Sequence, residues 1–227
     1  MSLVDHLGEL RTRLFRALLG VGIGTVIGFI VADRIIEFLI QPLPTGTVQV
    51  LGPGDGFFIF LKVSIVFGII VAMPVLLYQG WAFIAPGLTP KERRMVRPWI
   101  PFALVFFALG VGLAYIVLPY ATTFLLSFTN DILVANIAAG PYFDFVTTMF
   151  LAFGLVMEFP IVLYALSRAG IVTSSVLRSA RRYVILGVAV FAAVITPGGD
   201  LVSPFALGLT MYALYEATTF VIARTGR

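Results

Sequence analysis

Long apolar runs, separated by short stretches that are polar, basic or rich in Gly and Pro, dominate the chain. Read in windows of about 19 residues, they predict six membrane-spanning helices. These are Leu14 to Ala32, Phe57 to Gly80, Trp99 to Pro119, Phe143 to Leu166, Tyr183 to Ile195 and Phe205 to Ala223. The runs are continuous and do not alternate, which argues against transmembrane strands. The fifth has 13 residues between Arg182 and Thr196, about 20 Å of helix against about 30 Å of hydrocarbon. Spans five and six are therefore expected to be short, with the bilayer thinned beside them. The predicted fold is all-α, one six-helix transmembrane domain over residues 1–227.

Composition agrees. The chain is 60% hydrophobic and 11% charged, with a mean hydropathy of +1.06, where soluble domains run nearer half and a quarter. Six spans use up 227 residues and leave no room for a sizeable soluble domain. The first run is longer than a signal-peptide core and has no small-x-small cleavage pattern before Asp33, so it is expected to be a retained span. Charge sets the orientation. With the N-terminus placed in the cytoplasm, 13 of the 15 basic residues fall on that side, and only Arg34 and Lys62 lie on the other. Both termini are thus expected inside. Asp33, Glu37, Asp55, Asp131, Asp144 and Asp200 mirror the bias on the outer side. Of the outer loops, the first carries Arg34 to Ile40, patterned as a short interfacial helix. Pro42, Pro44, Gly46, Gly52, Pro53 and Gly54 follow and break regular structure. The second loop, Tyr120 to Tyr142, is apolar enough to lie against the membrane.

Much chemistry is excluded. There is no Cys, and His6 is the only histidine, so no thiol, His-pair metal or Ser–His intramembrane protease site is available. GxSxG, HExxH, Walker A and GxGxxG are absent, and every Asp lies at or beyond a predicted boundary. No enzyme activity, cofactor or metal is expected, and the net charge of +4 is topological rather than a nucleic-acid footprint. Spans two and four share Phe67-Gly68, Pro74, Leu77 and Tyr78 with Phe153-Gly154, Pro160, Leu163 and Tyr164 at an offset of 86. The pattern reads either as a duplicated hairpin or as chance matching in a small apolar alphabet. Where the second copy has Glu158, the first has Ala72.

Glu158 is the most informative residue, an ionisable group fourteen residues into span four. Such a group is by default a functional candidate, and otherwise polar glue between helices. Glu216, inside span six, is either functional or a residue that snorkels or pairs with a neighbour. On the cytoplasmic side only Asp5, Glu9 and Glu92 are acidic, each among bases. Spacing alone favours local ion pairing. The sharper reading is a pair of carboxylates presented to a guanidinium.

Four stretches then resemble one family, TatC, the receptor subunit of twin-arginine protein translocases. They are His6-Leu-Gly-Glu9-Leu-Arg11-Thr-Arg13, Trp81-Ala-Phe83-Ile-Ala-Pro86-Gly-Leu through Glu92-Arg-Arg94, Phe153-Gly-Leu-Val-Met-Glu158-Phe-Pro160, and Ile195-Thr-Pro-Gly-Gly-Asp200. The resemblance implies a receptor for the twin-arginine signal peptides of folded precursors. It implies a bacterial or archaeal cytoplasmic membrane, single-span TatA/TatB-type partners, self-association in a larger complex, and export driven by the proton-motive force. Glu9 and Glu92 match the signal-recognition carboxylates, with Arg11, Phe83 and Arg94 beside them. Glu158 matches the intramembrane glutamate, and Pro42 and Asp200 match outer-side positions. The chain departs from the pattern at Asp55, where the family more often has glutamate, and at Gly198-Gly199 before Asp200. Two other classes would also use such a chain. A small proton-coupled transporter would use Glu158 and show uptake by the chain alone, and a membrane-protein insertase would accept ordinary hydrophobic segments.

Overall fold

The computed structural model describes residues 3–44, 46–87, 89–90, 93–94, 98–130, 132, 135–196 and 199–224. In chain order these form α1 (Leu3–Ile30), α2 (Ala32–Ile40), α3 (Asp55–Ile84), a 3₁₀ turn (Ala85–Gly87), α4 (Trp99–Leu126), α5 (Ala139–Val156), α6 (Phe159–Arg168), α7 (Ser174–Ile195) and α8 (Val202–Arg224). Among the described residues the only strand-like pairing is one isolated bridge, Gln49 with Ala138.

Among the described residues, five segments are long and apolar enough to cross a membrane: Asp5–Ile30, Asp55–Gly87, Trp99–Leu126, Ala139–Arg168 (α5 with α6) and Val202–Arg224. The remaining predicted span, the fifth, lies within α7, whose first half carries Arg178, Arg181 and Arg182. There the sequence reading needs correcting. The helix does not stop at Arg182 but continues back to Ser174, giving 22 residues, and α8 has 23. Neither helix is short; only the apolar part of α7 is. Thr173 sets the true start, with extended backbone and its Oγ1 accepting from the Val176 amide, an N-cap that ends a helix regardless of hydropathy.

Two further boundaries move. α4 runs through Pro119 to Leu126, so part of the predicted second outer loop is helix. The Thr122 hydroxyl donates to the carbonyls of Leu118 and Pro119 at 3.0 and 3.1 Å, supplying donors next to the proline. Span four, predicted continuous, breaks between Val156 and Phe159. Pro160 has no N–H for the Val156 carbonyl, and the Glu158 amide bonds to Leu155, three residues back, at 3.0 Å. Pro74 leaves α3 unbroken, so the two matched stretches differ in shape.

Close approaches of backbone set the packing. Gly20, Gly24 and Gly28 recur along one face of α1. A Cβ on Gly24 would stand 2.7 Å from the Gly68 carbonyl oxygen, and one on Gly28 would stand 2.8 Å from that of Ser64. This is the small-residue seam by which membrane helices approach, and its register makes α1 and α3 antiparallel. Gly110 of α4 lies against the Phe153 backbone, and Gly154 of α5 under the Phe107 ring. α5 is the most enclosed helix, burying Phe143, Val146, Met149, Phe150 and Phe153. α8 follows α5 and α6 in the same sense. Ser203 touches Met149 near its start, and Leu214 and Thr218 share a small cavity with Pro160 and Tyr164 further on. Directions therefore alternate, and the first and last described residues lie at one end, called here the basic end.

At the far end α2 forms where the interfacial helix is predicted. Tyr142 donates to the Leu39 carbonyl at 2.6 Å, the Gln49 amide to Ile137 at 2.8 Å, and the Ala139 amide to Gln49 at 2.7 Å. Lys62 of α3 pairs with Asp144 of α5.

Candidate functional site

The basic end assembles a polar cluster from α1 and the last turns of α3. His6, Glu9 and Arg13 share one face of α1, at the i, i+3, i+7 spacing of a helix. His6 stacks on Phe83 with ring centroids 4.4 Å apart. Arg13 donates to Glu9 Oε1 at 3.2 Å and to Gln79 Oε1 at 3.4 Å, and Gln79 is buried. Glu9 Oε2 is also buried and has no hydrogen-bond partner among the described residues. One oxygen of the carboxylate is thus tied and the other is shielded from water and open to a donor. An uncompensated buried acceptor costs about 1–3 kcal/mol, which a cationic ligand would remove.

Beside this cluster, Arg93 lies over the Trp81 ring at 5.3 Å, and a cavity of about 420 Å³ opens between Tyr78, Trp81, Arg93, Ile100 and Pro101. The Trp81 indole N–H is buried without an acceptor among the described residues. Arg11 and Arg94 are exposed. Arg11, which the family resemblance sets beside Glu9, is about 200° round α1 from it, and the residue in contact with Glu9 is Arg13. Glu92 lies outside the described residues. His6, Arg13, Gln79 and Trp81 were not named as site residues from sequence, yet the helical period of α1 alone places two of them on the Glu9 face.

Glu158 stands at the break between α5 and α6, half-buried, as the residue preceding α6. Its carbonyl accepts from the amides of Ile161 and Val162 at 3.0 and 3.2 Å, while Oε1 is buried without a partner among the described residues. The outer candidates have structural work. Buried Asp200 accepts from the Ser203 amide at 2.5 Å and caps α8, with Oδ2 left unpartnered among the described residues. Pro42 sits half-buried in the turn after α2, before buried Leu43. Asp55 Oδ2 accepts from the amides of Gly52 and Leu51 at 2.7 and 3.3 Å. Glu216 is paired, with Arg181 at 2.6 Å and the Tyr212 hydroxyl at 3.1 Å.

Comparison with known proteins decides the family. The profile described as "Sec-independent protein translocase protein (TatC)" matches residues 5–209. The chain belongs to the TatC family. The TatC protein of Desulforapulum autotrophicum is 39% identical over 222 residues, 93% of this chain and 80% of its own. That of Aquifex aeolicus is 37% identical, covering 97% and 94%. The chloroplastic TATC of Arabidopsis thaliana is 35% identical and covers all of this chain and 68% of its own length. A crystal structure of the twin-arginine translocase receptor TatC superposes with a TM-score of 0.85 at 37% identity, covering 96% of this chain and 99% of that one. TatC names a protein translocase, which accords with a chain of apolar helices.

Proposed function

We propose that the basic end binds the twin-arginine signal peptide of folded precursors, with the bundle as the receptor subunit of the translocase. The observation that carries this is Glu9, whose Oε1 is held by Arg13 while Oε2 is buried and unpartnered among the described residues. A guanidinium donates two parallel N–H bonds to a carboxylate, so a signal arginine completes the coordination that Arg13 begins. Glu92 is the second carboxylate of this reading on the strength of the family motif, with Phe83 and Arg94 alongside. The same reading places both termini in the cytoplasm and α7 as a sixth crossing in a bacterial or archaeal cytoplasmic membrane. Single-span TatA/TatB-type helices are the partners, and the proton-motive force drives export.

Affinity of the purified chain for a signal peptide with Arg-Arg, against the same peptide with Lys-Lys, tests the proposal. Charge-assisted bonds of about 1.5–3 kcal/mol predict that Lys-Lys, and separately Glu9→Ala, each weaken binding about tenfold or more. Equal affinities for both peptides would overturn it. Glu158 is assigned as a hydrogen-bonding contact for a polar group of a partner helix or inserted signal. Glu158→Gln keeps donor and acceptor capacity and is expected to retain substantial export, with Glu158→Ala losing more. A dead Gln variant whose partner crosslinks persist would point instead to proton transfer.

A further inference from the structure

At the far end, α2 folds over α3 and α5 and leaves a cavity of about 340 Å³, within the range of about 300–1,000 Å³ usual for small-ligand sites. Its wall is hydrocarbon, with Phe38 from α2, Val66 and Ile70 from α3, and Val146 from α5. Thr147 also lines it, but its hydroxyl donates to the Phe143 carbonyl at 2.5 Å and offers the cavity little polarity. Among the described residues, Arg34 is the single charged one in the lining. It is exposed and has no ion pair among the described residues, whereas Lys62, the other base of this half, is neutralised by Asp144.

The arrangement has a polarity and a depth. Arg34, Ile35, Phe38 and Leu39, with Val31 just before the helix, recur at helical spacing and form the stripe of α2 that faces the cavity, while Asp33 and Glu37 lie off it and are exposed. Gly28 meets Ser64 where α1 hands over to α2. Ile70 is six residues further along α3, about 9 Å deeper into the apolar layer. The guanidinium is therefore at the rim and the hydrocarbon below it. A cation at the rim above a hydrocarbon wall is the complement of an anionic headgroup carried on an acyl chain. A single aliphatic chain fits.

We propose that this cavity holds one acyl chain of a phospholipid from the leaflet opposite the termini, with the lipid phosphate paired to Arg34. Guanidinium and phosphate match bidentately, so the headgroup fixes the lipid while the chain fills the space under α2. The site is separate from signal recognition at the basic end.

The full-length chain, purified in detergent and stripped of lipid, is offered phosphatidylethanolamine, diacylglycerol with the same chains, or inorganic phosphate, and retention is read by native mass spectrometry. One phosphatidylethanolamine is expected to be retained, with the other two held at least tenfold more weakly. Arg34→Gln is expected to reduce retention about tenfold, Arg34→Lys to keep most of it, and Val66→Phe, which fills the cavity and leaves the charge, to reduce it as well. Equal retention of diacylglycerol, or of phosphatidylethanolamine by Arg34→Gln, would overturn the proposal. A wild-type measurement removes dependence on variants that fold poorly. Phosphatidylethanolamine with a photoreactive group midway along one chain should crosslink to Val66, Ile70 or Val146. Crosslinks confined to the outer face of α1, or a helical peptide captured there in place of lipid, would sink it.

Discussion

Two hairpins of this bundle are held by opposite means. Midway along, α1 meets α3 through bare backbone, with Gly24 on Gly68 and Gly28 on Ser64, and the charged contact between them, Arg13 to Gln79, lies beyond the seam at the basic end. α7 meets α8 through polar reach, with Arg181 to Glu216 to Tyr212, and the Tyr215 hydroxyl donating to the Leu177 carbonyl. The first kind of contact has no slack, because a carbonyl against a Cα cannot rotate away. The second is made by long side chains that follow small changes in spacing. In a membrane, where lipid competes equally for apolar surface, close van der Waals packing and hydrogen bonds are the two means of association, and this chain uses one at each side.

The largest expected effect is on the rigid seam. Gly24→Leu forces side-chain atoms into the Gly68 backbone, and overpacking of this kind costs about 1–3 kcal/mol, occasionally more. Thermal unfolding in detergent should show a clear drop, or loss of a monodisperse protein. Gly22→Leu, with nothing within 4 Å of its Cβ, should melt like wild type. A tolerant Gly24→Leu would break the comparison.

The intermediate case is Tyr215→Phe, which removes a buried hydroxyl from Leu177 and leaves the ring in place. Interhelical hydrogen bonds in membranes average about 0.6 kcal/mol, with a maximum near 1.7, and the same melts should register a loss on that scale. The smallest is Arg181→Ala. Its pair with Glu216 is partly open to solvent, with side chains 48% and 31% exposed, so at most about 1 kcal/mol is expected. The loss should shrink further as salt is raised. If Arg181→Ala proved worse than Gly24→Leu, the assignment of rigid and adaptable hairpins would be reversed.

The helices were legible in the sequence wherever hydropathy and helix geometry coincide, as in α3 and α8, and the spacing of Arg34 to Ile40 was enough for α2. They diverge at α7. A hydropathy window ends at Arg182, but a helix ends at its cap, and the helix begins at Ser174, nine residues before the predicted start of the span. Membrane boundary and helix boundary are separate physical events. At the basic end, Glu9 stood out as one of three acids on that side, but spacing alone favoured local ion pairing and the family motif is what selected it. The resemblance sets Arg11 beside Glu9, while in the fold residues two apart point to opposite sides of a helix and Arg13, one turn on, is the residue in contact. Gln79 carried no signal, since only the fold brings α3's end to α1's start. The spacing of Gly20, Gly24 and Gly28 was visible, but their partners were not.

The bridge between Gln49 and Ala138 has a consequence for the order of assembly. It joins residues about 90 positions apart, and at roughly 5–20 residues per second of synthesis the second strand-like segment emerges some 5–18 seconds after the first. Through that interval α1, α2 and α3 must persist without the clamp that later fastens the far-end loops. The glycine seam is complete by residue 75. The bridge is thus a latch whose second half is made only after every residue of the glycine seam has been synthesised.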